Sequence, residues 1–124
     1  MTPRVFIVED ESLLVMVLED MLPELGYEVA ATAHSVPSAL QALEADDPDL
    51  AILDVNLAGK PSFPVADALA IRGIPFLFAS GYGESILPDR HANVPLVPNP
   101  YGRRELETAL ARLPPRREMP QPGA

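Results

Sequence analysis

Cysteine and tryptophan are absent from the chain, and a single lysine, Lys60, stands among its nine basic residues. Without cysteine, disulfides, thiol catalysis and cysteine-ligated zinc are excluded. Basic charge is scarce as a whole: eighteen Asp and Glu residues outweigh it and leave a formal net charge of -9. Such a surface repels nucleic acid and anionic membranes unless a basic patch is segregated. Arginines do gather late, as Arg103, Arg104, Arg112, Arg116 and Arg117. No aromatic residues interleave with them as in nucleic-acid binders, so they read as a solvated helix face and tail.

Long apolar runs are also missing. The start, MTPRVFIVEDE, carries a four-residue apolar run that is too short for a signal-peptide core, and no later segment approaches membrane-spanning length. A cytoplasmic location is expected, with no nucleic-acid or membrane partner. What remains is an ordinary globular balance, 48% hydrophobic and 22% charged over 124 residues. That length suits one domain with a core and is too short for two comfortable ones.

Apolar runs and helical stripes alternate along the chain. Val5 to Val8 is a continuous apolar run stopped by Glu9, Asp10 and Glu11, as in strands buried on both faces of a parallel sheet. Ser12 is the expected N-cap of a helix whose stripe is Leu14, Val17, Leu18, Met21, Leu22 and Leu25, closed by Gly26 and disturbed by Pro23 in its last turn. Its stretch LLVMVL is apolar on more than one face, which predicts deep burial ahead of a docking surface. Tyr27 to Ala33 reads as the second strand, and Val36 to Ala45, capped by Ser35, as the second helix. Asp49 to Val55, containing LAIL, is the third strand. The Gly- and Pro-rich loop NLAGKPSFP leads to a helix over Val65 to Arg72, and Ile74 to Ala79 is the fourth strand.

Beyond it, SGYGESILPDRHANVP shows no sustained stripe and admits at most one short helix. Pro95 to Pro98 is a short fifth strand and Arg103 to Leu113 the last helix, with Leu106, Ala109, Leu110 and Leu113 on one face. The expected domain is 1–113, with a proline-rich, disordered tail at 114–124. Five strands alternating with helices predict an α/β fold, an open parallel sheet covered by helices on both faces.

In such sheets ligands bind beyond the carboxyl ends of the strands, where the strand order reverses. The polar residues expected there are Glu9, Asp10 and Glu11, then Asp54, Ser80 and Asn99. Taken singly they are weak signals: an acidic pair after a strand reads more readily as a helix N-terminal turn, and Asp54 alone as a loop cap. Together they bring carboxylates into one cleft, where they must hold a proton or share a cation. With oxygen ligands only, magnesium or another hard divalent ion is the natural partner, and it leaves coordination positions for phosphate oxygens.

The order VEDE, LDVNL, FASGY, then a strand ending before a proline, resembles the bacterial response-regulator receiver domain over Arg4 to about Leu113. FASGYG is similar to the motif of a subgroup of stand-alone receivers in alphaproteobacteria that carry FATGYG or a variant, and whose following segment is irregular. The resemblance implies a flavodoxin-like, doubly wound (βα)5 fold with a short or irregular fourth helix. It implies a single-domain response regulator of two-component phosphorelay signalling, not an enzyme, though capable of Mg2+-dependent self-phosphorylation and dephosphorylation. Asp54 would accept the phosphoryl group from a histidine kinase or histidine phosphotransferase. Asp10 and Asp54 would bind Mg2+ directly, Glu9 through water, and the Asn56 backbone carbonyl would complete the protein ligands. Ser80 would supply the hydroxyl that bonds the phosphate.

One signature departs. The family's lysine ending the fifth strand is Asn99 here, while the proline after it, joined by a cis peptide bond in the family, survives as Pro100. Opposite unit charges about 4 Å apart interact by about 4 kcal/mol at an effective dielectric near 20, whereas an amide hydrogen bond recovers about 0.5–1.5 kcal/mol. Driving a two-state switch from end to end takes about 5.5 kcal/mol, so coupling of phosphorylation to conformation is expected to be weaker. Lys60, six positions past Asp54, is a candidate replacement cation, though a solvated loop lysine is the simpler reading. Arg103 and Arg104 are poorer substitutes. Leu96 occupies the place of the usual switch aromatic, and Tyr82 and Tyr101 are the nearby aromatic residues. His34 and His91 have no partner at ligand spacing and read as surface or structural groups.

The alternative is a degenerate receiver that acts as a phosphorylation-independent interaction module. A phosphohydrolase of the haloacid dehalogenase type would want DxD after the first strand, whereas Asp54 follows the third.

Overall fold

The computed structural model describes residues 2–80, 87–98 and 102–114. Five parallel strands form the main sheet: β1 (Arg4–Val8), β2 (Glu28–Ala33), β3 (Leu50–Asp54), β6 (Phe76–Ser80) and β7 (Leu96–Pro98), in the order β2-β1-β3-β6-β7. A two-stranded antiparallel hairpin, β4 (Asn56–Leu57) and β5 (Lys60–Pro61), sits in the loop after β3. The helices are α1 (Ser12–Glu24), α2 (Val36–Ala45), α3 (Phe63–Ile71) and α4 (Arg103–Arg112). This is the doubly wound α/β fold expected from the alternating pattern.

Side chains alternate along each strand, and both faces are covered, so both alternating sets must be apolar. In β1, Phe6 and Val8 face one core with Ala39 and Leu43 of α2 and Val65, Ala66 and Leu69 of α3. Val5 and Ile7 face the other, with Leu18 and Leu22 of α1 and Leu106, Ala109 and Leu110 of α4. Truncating a fully buried leucine such as Leu53 or Leu22 to alanine removes about 2–5 kcal/mol by leaving a cavity.

Local signals explain most element ends. Ser35 caps α2 in a capping box with Ser38. Proline at the start of α3 costs no hydrogen bond, so that helix begins at Phe63, earlier than the expected Val65. Two expectations for α1 are corrected. Its N-cap is Glu11, not Ser12, because Ser12 already lies within the helix and Glu11 keeps extended dihedrals. Deep burial of LLVMVL does not hold either: Leu18 is buried, but Leu13 is 73% and Met16 58% exposed, because only one side of α1 meets the sheet. Pro23 lies in its last turn, and α1 ends one residue later.

Between β6 and β7 the described residues contain one short 3-10 helix, Asp89–His91, as the weak pattern there predicts. Side chains hold it in place. His91 is buried edge-on to Phe76 and Phe78, and its Nε2 lies 2.8 Å from Asp67 on α3. Arg90 donates to the same carboxylate from Nε at 2.7 Å. His91 therefore has the structural role expected of it, while His34 is exposed. The expectations for Tyr82, Asn99, Pro100, Tyr101 and the tail beyond residue 114 fall outside the described residues.

Candidate functional site

Strand order reverses beside β1: β2 lies on one side of it and β3 on the other. Chain segments leaving β1 and β3 therefore part to opposite faces and open a crevice at their carboxyl ends. Glu9 and Asp10 follow β1, and Asp54 ends β3. One oxygen from each of these three carboxylates lies within 4.8 Å of the others. Ser80 is buried at the end of β6, one residue past the Ala79 that pairs with Asp54.

The environment of this trio is costly. Glu9 is 2% exposed, its backbone N–H bonds Ala33 in β2, and one carboxylate oxygen accepts the Glu11 N–H at 3.2 Å. Its other oxygen, Oε1, has no partner among the described residues when Glu9 is ionised. Burial, with Asp54 beside it, pushes the Glu9 carboxyl up to about 9. Burial also raises Asp54, against the opposing effect of the Asn56 N–H donated to it at 3.2 Å. An orphaned buried oxygen among three carboxylates at chelating distance fits a hard divalent cation. The donor set suits Mg2+.

The hairpin closes one side of the cleft. Ala58 N–H donates to Asp10 Oδ2 at 3.1 Å, and Gly59 N–H to Asn56 Oδ1 at 2.8 Å. Neither bond was anticipated from the sequence. The dipeptide Ala58-Gly59 between short runs was the available sign, since glycine in a two-residue loop is a hairpin signal. A cavity of about 370 Å³ opens beside Glu9 and Asp10, flanked by Met16, Glu19, Thr32 and His34.

Lys60 is exposed on β5, next to this turn. Arg103 is engaged elsewhere, bonding Glu24 at 2.6 Å, in line with its poor standing as a substitute cation. Leu96, in the place of the switch aromatic, is 40% exposed.

A doubly wound sheet with clustered acids at its switch point agrees with what the family match shows: the chain belongs to the response regulator receiver domain family, which it matches over residues 5–87. Among solved structures, it is similar to SdrG from Sphingomonas melonis Fr1, with 41% identity over 89% of this chain and 94% of that one, TM-score 0.79. The receiver domain of Erythrobacter litoralis PhyR aligns with 30% identity over 90% of this chain and 88% of that one, TM-score 0.78. The transcriptional regulatory protein PdtaR of Mycobacterium tuberculosis is 34% identical over 70% of this chain and 43% of its own length. The chain thus spans about half the length, or less, of such curated relatives as PdtaR and BaeR of Escherichia coli. The resemblance to receivers of the SdrG and PhyR kind agrees with the FASGYG motif. No helix among the described residues is long and apolar enough to cross a membrane.

Proposed function

We propose that this receiver accepts a phosphoryl group on Asp54 from the phosphohistidine of a histidine kinase or histidine phosphotransferase, in the cytoplasm, and passes the signal on through protein contacts. The observation that carries this reading is the trio Glu9, Asp10 and Asp54 within 4.8 Å at the switch point. An Asp54 oxygen forms a bond to phosphorus as the N–P bond of the phosphohistidine breaks, and the released imidazole nitrogen keeps the electron pair and takes up a proton. Asp10, Asp54 and the Asn56 carbonyl would hold Mg2+, with Glu9 assisting through water. When bound, Mg2+ neutralises charge on the carboxylates and on the transferring group.

Ser80 donates its hydroxyl to the bound phosphate. Asn99, where the family carries a lysine, would offer the phosphate a neutral amide, and Lys60 would be the candidate cation, from the hairpin. This division makes a switch with a weaker hold than one carrying a lysine at Asn99.

Intact mass after incubation with Mg2+ and a small-molecule phosphodonor tests the reading. The native chain gains one phosphoryl group, and Asp54→Ala gains none. The replacement of the lysine by Asn99 favours one rival, a phosphorylation-independent interaction module. Absence of an adduct on the native chain across donors and Mg2+ concentrations overturns the first reading in favour of that one.

A further inference from the structure

The loop after β3 is built with more care than a flexible linker needs. Leu57 is buried in the α2 and α3 core, and Ser62 N–H closes the loop on the Val55 carbonyl at 2.9 Å. Between them Ala58 and Gly59 both take positive φ, 52° and 86°, as a two-residue hairpin turn of the favoured twist requires. Ala58 adopts this conformation although its Cβ disfavours it. What compensates is the Asn56 side chain, whose Oδ1 accepts the Gly59 N–H. The turn so held aims the Ala58 N–H at Oδ2 of Asp10, a residue 48 positions earlier.

Asp10 is exposed, and the Ala58 N–H is a backbone donor that fixes one of its carboxylate oxygens. One oxygen fixed by Ala58 leaves the other directed by the same bond. We propose that the 56–61 hairpin is the positioning device for Asp10 in cation binding, with the Asn56 side chain and the Ala58 N–H as its positioning groups. The inference rests on the reading of Glu9, Asp10 and Asp54 as a Mg2+ site. It gives Asn56 two separable parts: its carbonyl as a ligand, and its side chain as the lock of a turn that orients a different ligand. Groups that orient a ligand in this way commonly change metal affinity by about 10–100-fold when removed.

The test is titration of Mg2+ alone into the full chain, followed by calorimetry and by the 15N amide resonances of Ala58 and Gly59, with melting in EDTA as a check on the fold. Asn56→Ala keeps the backbone carbonyl and deletes the lock, and is expected to weaken Mg2+ binding about tenfold. Gly59→Ala is expected to act in the same direction, since an added Cβ meets nothing within 4 Å and opposes only the φ of 86°. In the double variant Asn56→Ala/Ala58→Gly, a glycine that takes positive φ freely restores the turn, and affinity recovers. Wild-type affinity in both single variants overturns the inference. Weakened binding without recovery in the double variant also overturns it, because the loss then does not run through the turn. Failure of the wild-type chain to bind Mg2+ overturns the underlying site reading, and the inference with it. Should Asn56→Ala not fold, Gly59→Ala carries the same comparison.

Discussion

At the amino end of the sheet, Arg4 gathers the nearby carboxylates around one guanidinium: Asp46 accepts two bonds at 3.0 and 3.1 Å, and Glu28 lies 3.8 Å away. The Arg4 backbone N–H takes Asp49 at 2.8 Å, and Asp46 is held below the usual carboxylate range by its bonds to Arg4. At the carboxyl end, Glu9, Asp10 and Asp54 converge with no ion pair among the described residues. There burial drives the acids the other way, Glu9 up to about 9 and Asp54 upward. The same chain therefore pairs acids with an internal guanidinium at one end of the sheet, and at the other gathers three carboxylates without one among the described residues. Under the function proposed above, a bound cation offsets the cost of gathering these carboxylates.

The strongest way to break this comparison is to remove the ion and change pH. Glu9 titrates near the ordinary 4.5 when unfolded and near 9 when folded, so between those values the folded state holds more protons than the unfolded one. Metal-free stability is present at the acid end of that window and is lost as pH rises through it. Melting in EDTA should fall by about 4 °C or more from about pH 5 to about pH 9, and saturating Mg2+ should offset much of the fall. Glu9→Gln should flatten the EDTA curve. Parallel curves for the native chain and Glu9→Gln would sink the account.

An intermediate effect concerns Lys60. If it supplies the cation missing at Asn99, Lys60→Met should lower phosphoryl uptake or shorten the lifetime of the adduct, by about tenfold for the loss of one charge-assisted hydrogen bond. Intact-mass time courses measure both, and unchanged values would return Lys60 to the role of a solvated loop residue. Smallest should be Arg4→Ala at the paired end. Arg4 and Asp46 are both partly exposed, so the loss in melting temperature should be less than that from the pH change at Glu9, and should shrink further in high salt. A loss that persists in molar salt would mean that the amino end is not the screened, internally paired region described.

Much of this was legible in the residues themselves. Runs such as VFIV and LAIL announce strands covered on both faces, and Glu9, Asp10 and Asp54 follow or end such runs, so topology alone brings them together. Residue patterns could not show that α1 would leave Leu13 and Met16 exposed, because an all-round apolar helix specifies no single contact face. Nor could they show how completely Glu9 is buried, since that depends on how β1 and β2 pack around its backbone. The hairpin hid because Ala58 is a poor residue for positive φ, and its lock is a side chain two positions earlier. His91 and Asp67 lie 24 positions apart, and nothing in their local sequence pairs them.

The seating of His91 has a practical consequence. Its ring lies 5.6 Å from the Phe76 ring and 6.0 Å from that of Phe78, centre to centre and nearly perpendicular to both. Aromatic ring currents at that range displace proton resonances, and only one other histidine, His34, is present to overlap. The carbon-bound ring protons of His91 thus form a native spectroscopic beacon on the segment between β6 and β7, readable without any label that would disturb it.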